Sequence, residues 1–322
     1  GDTPDGGLTV AGHVAAVVLL VAFVLVNALG VRFFARINST VTWAKIAIPM
    51  IVGGVLIYSQ FSIDNFTDHG GFSPYGIDGV LAAVSAGGVI FAMIGFRHAI
   101  DLAGEVRNPR VTIPLALILS VVICFVIYGF LQAAFIGAIP ADQLAGGWDK
   151  LQFTSKLGPL GAIAAAVGIV WLVSLINFGA VVSPFGGALV SVGSNARLAL
   201  ALSYNGFLPA IFQRLSATGV PLLTLLLNLV IGALFLVLLP FNELLALNSA
   251  LLVLSLALGP VALATLRTQA PDLPRSFRLP AAHIVSAAAF IIACLVIYWS
   301  GWDTIWRMGI ALAVGLLIMA LR

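Results

Sequence analysis

Charge is what this sequence has least of. Asp, Glu, Lys and Arg make up 8% of its 322 residues, against about a quarter in an ordinary globular chain. With 61% hydrophobic residues and a mean hydropathy of +1.14, no soluble domain could hide the apolar surface. Cysteine is nearly absent too. Cys124 and Cys294 lie inside apolar blocks without metal-ligand spacing, so a disulfide framework is not indicated and both read as packing residues. There is no HExxH, no GxSxG and no pair of intramembrane aspartates. The residues therefore do not point to an intramembrane enzyme, and neither a metal nor another cofactor is expected. The opening GDTPDGG lacks a basic region and a small-residue cleavage site, so no signal peptide is visible. With no initiator Met, the chain is expected to begin mid-protein.

What is there is a series of apolar blocks, each near the ~20 residues that cross a bilayer as a helix. Nine spans are expected, at about 9–30, 41–59, 78–96, 112–136, 159–185, 221–239, 244–266, 282–300 and 303–321. The net charge of +3 and the pI near 9.1 do not imply nucleic acid, because the basic residues are spread over loops and report topology instead. Twelve of the fifteen Lys and Arg fall on one side, in alternate connections from Arg32 to Arg278 and at Arg322. The other side keeps Lys150, Lys156 and Arg307 with most of the acids. The positive-inside rule makes the first side cytoplasmic. The result is a multi-pass protein of the cell membrane that starts outside and ends inside. An odd span count of this kind follows if an odd number of helices precedes Gly1.

Two segments depart from simple spanning. The fifth block continues past Ser183-Pro184-Phe185-Gly186-Gly187 to about Ser203, too long for one crossing, so it tilts, kinks at Pro184 or leaves the membrane. Gly206 to Gly219 is short and amphipathic and suits a helix lying in the cytoplasmic interface. The third span ends in AMIGFRHAIDLAGEVRNPR, where Arg97, His98, Asp101, Glu105, Arg107 and Arg110 crowd into one stretch. A helix broken at Gly95 would free backbone carbonyls and amides near the midplane, where transporters bind solutes. The alternative is an ordinary span with a charged cytoplasmic cap.

Four stretches, in order, carry a family resemblance. IGFRHAIDLAGEVRNPRVTIPLAL, from Ile94 to Leu117, resembles the sixth helix and following loop of permeases of the amino acid-polyamine-organocation family. NALGVR at Asn27–Arg32 with VTWAK at Val41–Lys45, SNAR at Ser194–Arg197 with LSYNGFLP at Leu202–Pro209, and LR at Leu266–Arg267 with PDLPRSFRLP at Pro271–Pro280 resemble its fourth-to-fifth, eighth and tenth-to-eleventh helix regions. The resemblance covers the whole chain and begins at the family's fourth helix. It implies an all-α polytopic membrane protein with the five-plus-five inverted-repeat, LeuT-like transporter fold. Residues 1–77 would be the tail of the first repeat, 78–267 the second repeat, and 268–322 two added helices. Without the family's first three helices, half the substrate site is missing and these residues are not expected to transport alone.

Carried over by position, the resemblance implies that Phe91 is the aromatic gate and that Ile94, Gly95 and Phe96 form the unwound backbone receiving a substrate amino group. Phe91 reads equally as a packing aromatic. Lys45 matches a fifth-helix lysine that stands where sodium-coupled relatives hold a cation. It is a candidate proton-linked group, or else a positive-inside anchor at a helix start. Where many relatives carry Glu, this chain has Arg97, a permanent cation, which disfavours Glu-dependent proton coupling and strongly cationic substrates. His98 and Asp101, three residues apart on one face, form a conceivable relay or a locally neutralised ion cluster. Ser183 and Ser191 flank the Pro-Gly break and are candidate cavity residues, whereas Ser174 suits a bond to the carbonyl one turn back. Asn248 and Ser249 are candidates for an outer gate. The implied mechanism is alternating access for a small amino acid or related amine, moved with protons or by exchange. The alternatives are an inorganic cation or another organic solute on the same fold, and a non-transporting sensor or remnant.

Overall fold

The computed structural model describes residues 9–68, 70–85, 89–151, 158–238, 241–275, 277–299 and 301–320. They form helices α1 (Val10–Ala28), α2 (Val31–Ser59), α3 (Gly76–Ser85), α4 (Val89–Met93), α5 (His98–Asp101), α6 (Pro109–Ala138), α7 (Ala141–Leu144), α8 (Gly158–Ala166), α9 (Val170–Tyr204), α10 (Leu222–Leu238), α11 (Phe241–Gln269), α12 (Ala282–Trp299) and α13 (Trp302–Ala320). No strand occurs among the described residues. Among the described residues six helices are long and apolar enough to cross a membrane: α1, α2 from Phe33, α6, α9, α11 from Ala250, and α12. On α6, Val111, Leu115, Ile118, Val122 and Phe125 all face outward, as befits a chain whose solvent is lipid.

Helix ends fall where backbone chemistry dictates. The fifth block is not one helix. Gly168 at φ +80° ends α8, with the Ile169 N–H donating to the Ala164 carbonyl at 3.0 Å and the Gly168 N–H to Ala165 at 3.0 Å. That paired pattern needs a left-handed residue, which glycine adopts without strain. The same pattern closes α9, where Phe207 donates to Leu202 at 2.8 Å and Gly206 to Ser203 at 3.1 Å. Between them α9 runs for 35 residues with Pro184 inside it, about 52 Å at 1.5 Å per residue.

Two further sequence expectations change. Residues 31–40, read as a connection, are helical, so Lys45 lies in the middle of α2 rather than at its start. Their polar side chains are absorbed by the helix itself, Thr40 donating to the Arg36 carbonyl and Thr42 to Asn38, a pattern open to hydroxyl residues. The segment 206–219 is not an interfacial helix. It forms only a 3-10 turn at Ala210–Gln213, because Gly206 and Gly219 take positive φ and Pro209 offers no N–H. Gln213 Nε2 donates to the Ser203 carbonyl and Ser203 Oγ to the Pro209 carbonyl, both at 2.9 Å, fastening the turn to α9. The third span, by contrast, is interrupted where the sequence places a break, α4 passing into a 3-10 turn at Ile94–Arg97.

Side chains complete the caps that the backbone leaves open. Buried Asn65 donates to the Ile136 and Ile139 carbonyls at 2.9 Å each, closing the end of α6. Arg275 donates to the carbonyls of Leu266, Ala270, Pro271 and Leu273 at 2.6–3.1 Å, which satisfies orphan acceptors at the end of α11. Before α3, Tyr75 donates to Asp149 Oδ1 at 2.7 Å, and this hydrogen bond pushes the phenol above its ordinary range.

Three apolar clusters hold the helices together. One joins α2, α7, α8 and α9 through Ile48, Val52, Leu144, Ile163 and Leu172. A second joins α1, α2, α9 and α10 through Phe23, Phe34, Leu189, Val192 and Leu225. The third packs Ile94 against Val253 of α11 and Val296 of α12. α9 touches α1, α2, α5, α8 and α10.

Candidate functional site

The stretch from Met93 to Glu105 is built of short pieces: the 3-10 turn Ile94–Arg97, then α5, then a 3-10 turn at Ala103–Glu105. Ile94 is buried, Gly95 exposed and Phe96 half-buried. A side chain grown on Gly95 would meet nothing within 4 Å, so open space lies beside the turn. The Gly95 carbonyl accepts from the His98 N–H and keeps one further lone pair for a donor arriving from that space. Tyr128 of α6 donates to the Ala92 carbonyl at 3.4 Å, steadying the turn from behind. Phe91 lies within α4, but its side chain is outside the described residues, as is that of Ser249.

Directly after the turn, α5 is fastened to α9 by a chain of hydrogen bonds. His98 Nδ1 lies 2.9 Å from Ser194 Oγ, and the Ser194 hydroxyl donates to Asp101 Oδ2. A serine that donates to the carboxylate accepts from the ring, which places the proton on Nδ1 and leaves Nε2 as acceptor. The Ser191 hydroxyl faces that nitrogen at 3.4 Å. Asp101 Oδ2 also stands 3.7 Å from His98 Nδ1 and 4.0 Å from Arg97 Nη1. Arg97 thus has a local carboxylate. The imidazole bridges two serines, and Asp101 sets its carboxylate between it and Arg97.

Ser194 is fully buried and is the central acceptor and donor of this joint. Ser194 lies in the SNAR stretch, to which the sequence alone assigns no role. Its spacing of three residues from Ser191 on one helix was the available signal. Nearby, buried Asn27 of α1 donates to the Phe23 carbonyl at 2.9 Å and across to Leu189 of α9 at 3.1 Å. Its Oδ1 has no partner and lies where a side chain on Gly193 would stand. Two polar attachments therefore fix α1 and α5 to the same C-terminal half of α9.

The other candidates lie elsewhere. Ser191 and Asn248 share the wall of a cavity of about 730 Å³ with Asn195, Asn228, Phe23 and Phe185. Lys45 and Ser183 line a separate cavity of about 230 Å³ between α2 and α9. The Lys45 ammonium rests on bare backbone: a side chain on Gly186 would come within 2.8 Å of Nζ. Among the described residues Lys45 makes no hydrogen bond or ion pair. The structure thus brings together Arg97, His98, Asp101 and Ser191, and Lys45 with Ser183, but not the two groups with each other. Ser174 donates to the Val170 carbonyl at 3.4 Å. Among the described residues, no cluster of three or more His, Cys, Asp or Glu could hold a metal.

Comparison with known proteins gives these features a setting. A family model described as amino acid permease matches residues 6–319. The chain is 36% identical over 97% of its length to an aspartate-proton symporter of Bacillus subtilis (strain 168), covering 60% of that protein. It is 35% identical, again over 97% of its length, to the glutamate/serine transporter AimA of the same organism, covering 58%. It is 28% identical over 95% of its length to the branched-chain amino acid permease BcaP, also of B. subtilis, covering 63%. The chain spans about three-fifths of the length of these curated relatives.

Proposed function

The chain belongs to the amino acid permease family, and from that premise we propose that it forms the larger part of a secondary transporter moving amino acids across the cell membrane by alternating access. Residues 78–267 are taken as the second inverted repeat, 1–77 as the tail of the first, and 268–322 as two added helices. The N-terminal side faces outward and the C-terminus the cytoplasm, a reading supported by the distribution of Lys and Arg.

The observation that carries the proposal is the interrupted third span. Ile94–Arg97 leaves the α-helical path beside open space at Gly95, and a residual carbonyl lone pair there suits a substrate ammonium. Phe91, Ile94, Gly95 and Phe96 form the solute position, with Ser183 and Ser191 on the facing helix. The polar joint of Arg97, His98, Asp101 and Ser194 closes the cytoplasmic side, and its release opens the path inward. Lys45 is the candidate group for coupled proton movement. Arg97 near the path favours acidic or neutral amino acids over cationic ones, in keeping with the names of the first two relatives.

The test is uptake by the full-length protein in liposomes, with labelled aspartate, glutamate, serine, leucine and lysine, with and without an inward proton gradient. Gradient-stimulated uptake of aspartate or glutamate is expected. Uptake of none of the five, or of lysine alone, would overturn the reading. Gly95→Leu fills the open space beside the turn. It should abolish uptake while moving the melting temperature by no more than about 2 °C, because nothing there is displaced.

A further inference from the structure

The joint between α5 and α9 holds a titratable ring between two hydroxyls. Ser194 donates its hydrogen to Asp101 Oδ2 and accepts from His98 Nδ1 at 2.9 Å, while Ser191 stands 3.4 Å from Nε2. The serines lie on α9, and the ring and carboxylate on α5, so each of these bonds crosses the seam. α5 also packs on the 3-10 turns before and after it and on α6. The charged and titratable groups on those neighbours can be placed one by one. Arg97 stands 4.0 Å from Asp101 Oδ2, and Arg197 of α9 donates to the Gly193 carbonyl. Arg110 is exposed at the start of α6. Tyr128, with Cys124 a turn before it on α6, bonds the Ala92 carbonyl. The Glu105 side chain lies outside the described residues.

A proton added to this chain is poorly received while the joint is closed. Nδ1 already carries a hydrogen, so the new one goes to Nε2 and meets the Ser191 hydroxyl. Ser191 has to turn its own hydrogen away, and 3.4 Å is long for a bond to a cation. The carboxylate gives no direct bond either, because Oδ2 takes the Ser194 hydrogen and stands 3.7 Å from Nδ1. Parting the helices changes both. Water reaches the ring N–H groups, and Asp101, three residues along on α5 and released by Ser194, is free to accept from the ring. Burial first, then Arg97, hold the imidazole of the closed joint below its ordinary value, with Asp101 opposing them. The parted joint therefore takes up a proton at higher pH than the closed one, and a fall in pH through about 6.5 shifts the balance toward parting. Well above that range the ring is unprotonated in both forms and pH has no hold on the joint.

We propose that His98 makes this joint a pH-reading latch, in which a proton taken by Nε2 from the water of the cytoplasmic side loosens α5 from α9 and opens the path inward. The proton returns to the same water when the joint closes. The latch rests on the proposed reading of the joint as the inner closure of a transporter. Every contact it needs is made between described residues, and further chain packed over the seam adds burial, which disfavours the charged ring more strongly. A plain structural clamp built of the same bonds would hold equally at every pH.

The test puts spin labels on the full-length protein at Ile100→Cys of α5 and Leu198→Cys of α9, both exposed, with Cys124→Ser and Cys294→Ser. Their separation is read by pulsed electron resonance in nanodiscs from about pH 8 to about pH 5.5, across the histidine range. The ratio of parted to closed joint should rise about tenfold, the shift given by a one-unit difference in proton affinity. His98→Gln keeps a donor for Ser194 and an acceptor for Ser191 but takes up no proton, and should hold one ratio throughout. A ratio independent of pH with His98 in place, or one that still changes in His98→Gln, overturns the proposal. If the glutamine variant does not fold, NMR of isotope-labelled histidine decides: the His98 ring must gain its proton at the same midpoint as the change in separation, and a ring unaltered through that change overturns the proposal too. Parting in acid without amino acid uptake would sink the transport reading alone; uptake without parting in acid would sink this one alone.

Discussion

The two halves of α9 treat polar groups in opposite ways. Upstream of Pro184 its packed face is apolar, built on Leu172, Ile176 and Gly179, and the one cation it meets, Lys45, has no partner among the described residues. Downstream, from Leu189 to Arg197, the polar side chains that arrive find partners, Asn27 Oδ1 excepted: Asn27 to Leu189, His98 and Asp101 to Ser194, Ser191 to His98, Arg197 to the Gly193 carbonyl at 2.9 Å. Both halves are α-helix of similar composition. The difference comes from what arrives from other elements, which shows that burial in a membrane protein is graded by partner rather than by depth alone.

The sharpest way to break the contrast is Ser194→Ala. It removes only the hydroxyl, strands His98 and Asp101 in a buried site, and should cost about 2–3 kcal/mol through unsatisfied buried partners. Thermal unfolding in detergent should show it, together with loss of uptake by the full-length protein. A smaller effect separates two glycines. Gly193→Ala drives a methyl into the Asn27 amide, which is pinned by two hydrogen bonds, and should cost about 1–2 kcal/mol as overpacking. Gly179→Ala meets an Ile48 methyl that must give way slightly, a milder approach than at Gly193, and the helix propensity gained, about 1 kcal/mol, should offset part of it and leave the smaller loss. Equal losses in the two variants would refute the contrast. The smallest change, with opposite sign, is expected from Lys45→Met. Removing a half-buried unpaired cation should raise stability by about 1 kcal/mol; a clear loss would mean that the ammonium has a partner.

Much of the fold could be read from the apolar blocks, because a lipid-facing helix must be apolar over its whole length. The interruption after Met93 was also legible, since Gly95 and a sudden run of charge follow an apolar stretch. Ends set by local hydrogen-bond geometry were not. Gly168 looks like any other membrane glycine until its φ is known, and VRFFARINST reads as a loop because its hydroxyl bonds to its own helix are invisible in a hydropathy profile. The candidate site divides along the same line. His98 and Asp101 could be paired from their spacing, whereas Ser194 and Asn27 act on residues 93 to 162 positions away, a distance that one sequence does not encode.

One consequence concerns how such a molecule could rearrange. α9 is long enough to stand proud of a hydrocarbon layer of about 30 Å and touches α1, α2, α5, α8 and α10, so it acts as a stator. Most of its joints are interlocked side chains that slide only by unpacking. The joint with α5 is different: a few hydrogen bonds among His98, Asp101, Ser191 and Ser194, each of which water can replace one for one. Among the seams of α9 between described residues, it is the one joined chiefly by hydrogen bonds, so it can be unlatched by wetting and closed again by drying.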